Sequence, residues 1–363
     1  MMGAAFVLVL GPLVVLHELG HYLVARLFGV RADAFSIGFG EELLGWTDRR
    51  GTRWKLSAVP LGGYVQFAGD MNAASIPDPA LRHATPEELA GTFQAAKLWQ
   101  RALIVLAGPL ANLLVAVGVF ALFAMAYGLP MARAEIGGFS PRSAARAAGM
   151  QVGDRITAID GAAIGSFTDV IERVMIYPGR TVKIEAERAG RPYAVSVTLA
   201  LDVQTDRFGN EVRRGLLGIT PAELEYRRVG PVDAIAAGVR QSGDIMRMMA
   251  IGLKQVVVGE RSMREMGGPL RIAKYSGERL SLGWADLVGF AALISINLAF
   301  INLLPIPALD GGHLAFYAAE AIRRRPLGSR SQEWAFRAGL AFVLAVTLFV
   351  TMNDLIALFP FGK

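Results

Sequence analysis

Four long apolar stretches constrain this chain more than any other feature of its sequence. A helix needs roughly 20 mostly apolar residues to cross the hydrocarbon core of a bilayer. The 363 residues are 53% hydrophobic and only 19% charged, which is too apolar for an ordinary soluble protein. We therefore expect a polytopic α-helical membrane protein with about four transmembrane helices. The predicted spans are 3–28, 102–127, 287–309 and 336–358, the last reaching full length when Arg337 and Asp354 lie at the interfaces.

A more polar section separates the second predicted span from the third. Within it, the glycines of 134–200 fit tight turns between short strands, for example 155–159 and 182–187. The later segment 231–259 carries its charged residues at steps of three, four or seven, which places them on one stripe of a helix. We expect an inserted α+β domain, followed by an amphipathic helix that lies along the membrane surface or packs on the core.

These features divide the chain into four parts. The predicted parts are an N-terminal membrane core, the inserted domain, a linker and a C-terminal membrane core, at 1–133, 134–200, 201–283 and 284–363.

Basic residues flank the loop between the first two spans and fill the loop between the last two. They are Arg26, Arg31, Lys97, Arg101, Arg323, Arg324, Arg325, Arg330 and Arg337. Because cationic residues near membrane ends stay cytoplasmic, both loops are predicted to be cytoplasmic and the inserted domain to lie on the other side. The net charge of +6 then reflects topology rather than a nucleic-acid-binding surface. The first span has no basic segment before it and no cleavage site of small residues after it, which favours an uncleaved span over a signal peptide.

The first span contains the sequence His17-Glu18-Leu19-Gly20-His21. On a helix, a spacing of four residues puts both imidazoles on one face, where they can bind one metal ion. Glu18 can then accept a proton from water that the metal activates. An ionisable residue at the centre of a membrane helix costs about 2.5 to 3.5 kcal/mol, so these polar groups indicate a functional site. The alternative is that they cap the interfacial end of the helix.

Asp310 is the predicted third metal ligand. The chain has no cysteine, so its metal ligands must be nitrogen and oxygen atoms, and catalytic zinc sites have three protein ligands. Pro305 and Pro307 cannot continue a regular helix, and irregular backbone at membrane depth is tolerated only where protein or a water-filled cavity covers it. Successive spans bring the ends of the first and third to the same membrane face, so that His21 and Asp310 can meet. The alternative role for Asp310 is capping of the following helix.

The pair formed by HExxH in the first span and N-x-x-P-x-P-x-L-D-G at 302–311 resembles the site-2 protease family, most closely the regulator-of-sigma-E protease type. The resemblance covers nearly the whole chain. It implies a zinc metalloendopeptidase with one Zn²⁺ per chain, held by His17, His21 and Asp310, with Glu18 as the general base. A role in binding substrate or stabilising the oxyanion is implied for Asn302, Asn112, Gly108, Gly62 and Gly63. For Gly108, close helix packing is an equally good interpretation.

Two further segments share this resemblance. Residues 31–68 are similar to a membrane-associated β-hairpin, whose edge strand could hold an unwound substrate by strand addition, although a plain cytoplasmic hairpin is the alternative. The run AGMQVGDRITAIDGAAI at 148–164 resembles a PDZ domain of the periplasmic protease kind. Such a domain could exclude substrates with large outer domains, bind a peptide or exposed C-terminus, or act as a passive spacer.

The resemblance also implies a location and a set of partners. We expect a multi-pass protein of the bacterial inner membrane, with the active site toward the cytoplasm and the PDZ domain in the periplasm. The expected substrates are single-span membrane proteins such as anti-sigma factors, with remnant signal peptides as a second class; lipid surrounds the core, and no nucleic acid is expected. Two alternatives stay open: a prenyl-protein or heat-shock type of membrane metalloprotease, in which a glutamate is the third ligand, and a non-catalytic scaffold.

Overall fold

In the computed structural model, the described residues are 2–69, 85, 89–205, 211–222, 225–260, 262, 267–325 and 328–358. Several residues of the predicted linker lie outside them, namely 206–210, 223–224, 261 and 263–266. Contacts divide the chain into two compact units. The first comprises Met1–Phe120 with Gly267–Asp354, and the second comprises Ala121–Met266 with Leu355–Lys363.

The described helices, in chain order, are α1 (Met2–Leu27), α2 (Leu98–Tyr127), α3 (Ala144–Ala147), α4 (Phe167–Met175), α5 (Pro231–Val258), α6 (Pro269–Leu282), α7 (Trp284–Leu303), α8 (Asp310–Arg323) and α9 (Ser329–Leu358). The described strands are β1 (Ala32–Thr47), β2 (Arg53–Phe67), β3 (Leu129–Met131), β4 (Ile136–Phe139), β5 (Arg155–Ile159), β6 (Ala162–Ala163), β7 (Thr181–Arg188), β8 (Arg191–Thr198), β9 (Ala200–Thr205), β10 (Glu211–Leu216), β11 (Ile219–Pro221) and β12 (Glu225–Arg227).

Four of the described helices are long and apolar enough to cross a membrane, namely Met2–Leu27, Leu98–Tyr127, Trp284–Leu303 and Ser331–Ile356. The chain is thus a multi-pass membrane protein, and the prediction of about four transmembrane helices with additional β-sheet regions is confirmed. Helix α7 ends at Leu303, before the predicted limit at 309. The physical reason is that Pro305 and Pro307 cannot continue the helix.

Small residues let α1 and α2 approach closely in the first unit. A Cβ atom at Gly20 would overlap with the carbonyl oxygen of Ala107, so the two backbones touch at this point. Nearer the start of α1, Val9 and Leu13 are buried in one cluster with Leu287 and Ile294 of α7. Neighbouring helices therefore contact α1 both before its polar segment, at Val9 and Leu13, and within it, at Gly20.

Strands β1 and β2 fold back on each other so that four segments lie side by side. On one side, residues 34–37 pair with 63–66, and the two segments run in opposite directions. On the other side, residues 34–37 pair with 53–56, and these two segments run in the same direction. Residues 53–57 in turn pair with 42–47. The predicted hairpin is therefore a wider sheet, and the segment 63–66 lies at one edge of it.

Asp354, an acidic residue near the end of α9, is paired with the N-terminal end of α6. Asp354 is buried and accepts hydrogen bonds from the backbone N–H groups of Gly268, at 3.0 Å, and Arg271, at 2.9 Å. The Nε atom of Arg271 lies 3.3 Å from the same carboxylate. An acidic side chain at the end of a membrane span is thus paired with a cation and with a helix N-terminus, which favours negative charge.

The second unit contains the predicted α+β domain. Its four-stranded sheet has the order β6-β5-β7-β8, and β4 pairs separately with β11. Helix α4 begins at a capping box between Ser166 and Asp169, which satisfies backbone donors at the helix start. The core is formed by apolar side chains of the sheet, α3, α4 and the turns between them, and includes Ile136, Ala145, Ile156, Val170, Val174, Ile184 and Val197.

A buried carboxylate ties the turn before β5 to β7 and β8. Asp154 is fully buried and accepts hydrogen bonds from Nε and Nη2 of Arg188, at 2.7 and 2.8 Å, and from the hydroxyl of Tyr193. Burial by itself raises the pKa of Asp154, but these hydrogen bonds outweigh it and hold the pKa below its usual value. Burial and the hydrogen bond to Asp154 raise the pKa of Tyr193 to about 12.

Helix α5 packs on α4 within the second unit. Arg240 bonds to Asp169 at the start of α4, and the side-chain amide of Gln255 donates to the carbonyl of Ile176 just after its end, at 2.9 Å. Part of the predicted charged stripe of α5 therefore faces another helix. Near its start, Ala234 packs against Ala121 and Ala124 of α2.

Candidate metal centre

Three ligand atoms converge in the first unit. The Nε2 atoms of His17 and His21 lie 3.2 Å apart, and Oδ2 of Asp310 lies 3.2 Å from the first and 3.5 Å from the second. The two histidine side chains are 11% exposed and that of Asp310 is 18% exposed. Within the described part of the chain, this is the cluster of histidine and carboxylate groups that could hold a metal ion.

The spacing of these atoms suits zinc. Zinc binds imidazole nitrogen and carboxylate oxygen at about 2.0 to 2.2 Å, so that two ligands of a tetrahedral site lie about 3.3 Å apart. The observed separations of 3.2, 3.2 and 3.5 Å agree with that value. Oδ2 of Asp310 is buried and accepts no hydrogen bond among the described residues, an arrangement that is costly without a cation. The three residues fit zinc, which has three protein ligands in catalytic sites.

An irregular segment brings Asp310 to the histidines. The chain leaves α7 at Leu303 and passes through Pro305 and Pro307 before α8 begins at Asp310. Ala308 has a φ angle of 82°, a left-handed conformation that costs a residue with a Cβ about 1 to 3 kcal/mol and is found mostly at functional sites. Asp310 makes no side-chain capping bond to α8, so the structure supports the metal-binding role for it over the capping role.

Glu18 lies between the metal ligands and the edge of the β-sheet. Its Oε2 atom accepts a hydrogen bond from the backbone N–H of Val65, at 3.1 Å. Val65 is opposite Phe35 in the sheet, and alternate N–H groups of an antiparallel edge strand point outward, as the bond from Val65 to Glu18 requires. The sheet edge thereby fixes a carboxylate next to the first histidine.

Helix α2 passes directly behind both imidazoles. A Cβ atom at Gly108 would overlap with Nε2 and Cε1 of His21, so no side chain larger than hydrogen fits there. The carbonyl oxygen of Ile104 lies 2.8 Å from Nδ1 of His21. Asn112 is fully buried, and its Nδ2 lies 3.3 Å from Nδ1 of His17.

A cavity of about 390 Å³ opens onto the three ligand atoms. Of the residues predicted for the site, the cavity is lined by His17, Glu18, His21, Asp310, Asn302 and Gly63. His313 also lines it. Gly62, Gly108 and Asn112 do not line it. Gly62 has a φ angle of 111° and packs against the ring of Phe39, while Gly108 and Asn112 lie behind the histidines.

Sequence reasoning did not identify Val65 and Ile104. Both contribute backbone atoms, so their residue types do not indicate these contacts. A positional signal does exist for Ile104, because it precedes Gly108 by four residues as Gly108 precedes Asn112, which places all three on one face of α2.

Comparisons with known proteins agree with this chemistry. The family model described as Peptidase family M50 matches residues 5–346. A protein of Agrobacterium fabrum that is named as a zinc metalloprotease is 45% identical over 358 residues. The match covers 97% of this chain and 95% of that protein. Metalloprotease MmpA of Caulobacter vibrioides is 36% identical over 371 residues, covering 96% of this chain and 93% of its own.

One similarity among solved structures concerns a single domain. The PDZ domain of an SdrC-like protein from Listeria monocytogenes is 25% identical to the matching part, which covers 24% of this chain and 84% of that domain, with a TM-score of 0.19.

Proposed function

Because this chain belongs to peptidase family M50 and is a zinc metalloprotease, we propose that it cuts peptide bonds within or beside the membrane-spanning segments of other membrane proteins. The observation that carries the proposal is the position of the ligands. His17 and His21 belong to an apolar helix long enough to cross a membrane, and they lie about 9 to 15 Å along its axis from its end at Leu27. A peptide bond that reaches them must itself enter the membrane.

The proposed roles follow from the contacts. A zinc ion at this site supplies Lewis acidity and makes water a nucleophile near neutral pH. Glu18 accepts the proton from that water and, held by Val65, needs no large movement to do so. Asn302 lines the same cavity and has an amide donor that can stabilise the negative charge developing on the substrate carbonyl oxygen.

The substrate must unwind before it is cut, since a helical peptide bond is shielded by its own hydrogen bonds and side chains. We propose that an unwound segment adds to the sheet edge at 63–66, where Gly63 lines the cavity. The absence of a side chain on Gly63 supports this mode, because a Cβ there would lie 2.7 Å from the carbonyl oxygen of Ser36 and 3.5 Å from Cγ of Glu18, so glycine lets the edge segment pass close to the base. Residues that break helices near the cut should therefore favour cleavage.

Partners and location form part of the same proposal. The pattern of basic loops favours the bacterial inner membrane with the active site on the cytoplasmic side. Single-span proteins resembling anti-sigma factors are the proposed substrates, with remnant signal peptides second. The inserted domain would then lie in the periplasm, where it limits access or binds a peptide. Exposed Leu43, Leu44 and Trp46 of β1 are suited to contact with lipid.

A reconstituted assay tests the proposal. The purified full chain is placed in vesicles with a model single-span substrate that carries either proline or leucine next to the cut. We expect cleavage of the proline form to be faster, to stop with a zinc chelator and to resume when Zn²⁺ is restored. Glu18→Gln should keep its zinc and lose turnover, and undiminished cleavage by this variant would refute the role of Glu18.

A second measurement tests the third ligand. Asp310→Ala should lose zinc, whereas Asp286→Ala, which removes an exposed carboxylate at the other end of α7, should retain about one zinc per chain. Retention of zinc by both variants would favour a metalloprotease whose third ligand is a glutamate. Absence of zinc from the unaltered chain would favour a scaffold.

A further inference from the structure

We propose that one face of α2 orients both metal-binding histidines, and that Asn112 is the positioning residue for His17. This inference rests on the proposed metal site. Ile104, Gly108 and Asn112 follow one another at steps of four, the spacing that also separates His17 from His21 on α1. The spacing of four residues on α2 thus matches the spacing of the two histidines on α1. Ile104 lies beside His21, and Asn112 lies beside His17.

The three residues make different contacts. The carbonyl of Ile104 lies 2.8 Å from Nδ1 of His21. Gly108 leaves the space in which the two imidazoles lie. The amide of Asn112 reaches Nδ1 of His17, with 3.3 Å between the nitrogens. In both histidines, Nδ1 therefore has a polar atom of α2 beside it and Nε2 lies near Oδ2 of Asp310.

The nitrogen that faces the metal site determines which nitrogen of each imidazole carries the proton. A metal ion on Nε2 leaves the proton of a neutral imidazole on Nδ1, so Nδ1 requires a hydrogen-bond acceptor. For His21 that acceptor is the carbonyl of Ile104. For His17 it must be supplied by Asn112, whose amide presents Oδ1 after a half-turn about its terminal bond.

Asparagine can serve His17 in both states of the site. Without metal, Nδ1 can be the unprotonated nitrogen and accept from Nδ2; with metal, Nδ1–H can donate to Oδ1. The second arrangement uses an atom that is otherwise idle, because Oδ1 of Asn112 is buried and has no hydrogen-bond partner among the described residues. A buried amide oxygen without a partner is costly and calls for a role of this kind.

Helix α7 fixes the backbone of Asn112. The hydroxyl of Ser295 donates to the carbonyl oxygen of Asn112 at 2.7 Å, and both residues are fully buried. Asn112 has no exposed surface and does not line the cavity, so its effect on substrate is exerted through His17 rather than by contact.

Zinc affinity distinguishes this role from a substrate-binding role. The full-length chain is purified in detergent, and its affinity for Zn²⁺ is measured by competition with a chelator of known strength. Loss of an outer hydrogen-bonding partner of a metal ligand weakens metal affinity about 10-fold to 100-fold. We expect Asn112→Leu, which fills the same space without a hydrogen bond, to show that loss. Asn112→Asp, which retains an acceptor, should stay within about threefold of the unaltered chain.

Two controls separate packing from hydrogen bonding. Ser295→Ala removes a contact to the backbone of Asn112 but leaves its amide facing His17, so zinc affinity should change less than in Asn112→Leu. Thermal unfolding identifies variants that fail to fold, and Asn112→Ala replaces Asn112→Leu in that event. Activity measured at saturating Zn²⁺ should show a lower kcat with KM unchanged.

Three results would overturn the inference. Native zinc affinity in a folded Asn112→Leu variant would show that the amide does not support His17. Equal losses in the leucine and aspartate variants would assign the effect to packing. A higher KM with unchanged zinc affinity would return Asn112 to a substrate-binding role. If the unaltered chain binds no Zn²⁺, the proposed function itself fails, and that outcome is visible before any variant is made.

Discussion

The carboxylate of Glu18 accepts a hydrogen bond from the backbone N–H of Val65 over 3.1 Å, which links the proposed general base to the edge strand of the β-sheet. Val65 lies in the segment at one edge of the sheet, where alternate N–H groups point outward, and its N–H is used for this bond to Glu18. The strand that is proposed to receive the substrate is therefore also the strand that positions the base.

Replacement of Val65 by proline tests this link. Proline removes the N–H donor and is tolerated where that group faces outward from an edge strand. A hydrogen bond to a charged group contributes about 1.5 to 3 kcal/mol, so we expect kcat to fall by about 10-fold to 100-fold. Zinc content should stay at the level of the unaltered chain, because the N–H that proline removes bonds to Glu18 and not to a metal ligand.

Val65→Ala is the matched control, since it keeps the N–H and trims a side chain that is buried in the core. It should lower stability by about 1 kcal/mol and leave kcat within about threefold. An equal fall of kcat in both variants would attribute the effect to packing of the strand rather than to the hydrogen bond.

Gly108→Ala should damage the metal centre. Its new methyl group would overlap with the imidazole of His21 and come close to that of His17, so one of the ligands must move. We expect zinc affinity to fall by at least about 10-fold, the scale for a disturbed ligand shell. Gly118→Ala is the control on the same helix, because a Cβ there meets nothing within 4 Å. That change should stabilise α2 by up to about 1 kcal/mol, and similar zinc affinities in the two variants would contradict the prediction.

Stability of the inserted domain should depend on the charge of Glu172. Burial, followed by the nearby carboxylates of Asp244 and Asp169, raises the pKa of Glu172 above its usual value. The folded state therefore holds the proton more tightly than the unfolded state, and the penalty for ionisation is full above the raised pKa and absent below the usual one. Glu172→Gln should stabilise the chain by about 0.5 to 1 kcal/mol at about pH 8 and by nothing at about pH 4.

Chemical denaturation of the detergent-solubilised chain at both pH values measures this difference. Glu187→Gln removes the same charge from an exposed pair with Arg155 and should change stability by less than about 0.5 kcal/mol. A gain in Glu172→Gln that is equal at the two pH values would show that ionisation is not its cause.

The sequence was sufficient to predict the membrane core and the proposed ligand set, for reasons that differ. Spans follow from length and hydropathy alone. His17 and His21 are recognisable because a helix fixes their spacing, and Asp310 because two prolines force irregular backbone next to it. The sequence could not predict which atoms hold these groups in place, since Val65 and Ile104 contribute backbone atoms that any residue possesses.

Strand pairing was also beyond the sequence. The resemblance of residues 31–68 indicated a hairpin, but the second pairing of residues 34–37 with 53–56 depends on how β1 and β2 bend. Register in such a sheet is determined by the buried face, which no local pattern specifies fully. Gly62 and Gly63 show the consequence, because neighbouring glycines of one motif have different surroundings: Gly63 lines the cavity and Gly62 packs against Phe39.

The junction between Asp354 and α6 should decide how firmly the last span is held. Only 11% of the most apolar part of α9 is buried, the smallest share among the four candidate spans. Few apolar contacts therefore retain this helix. Asp354 accepts hydrogen bonds from two backbone N–H groups and lies 3.3 Å from the Nε of Arg271, and its removal leaves the two N–H groups without this acceptor. Asp354→Ala should speed hydrogen exchange of the amides of Gly268 and Arg271 by about 10-fold or more, as loss of about 1.5 to 3 kcal/mol implies. Met352→Ala, at an exposed position two residues earlier, should leave those amides unchanged, and equal exchange in all three proteins would show that α9 is retained by its other contacts.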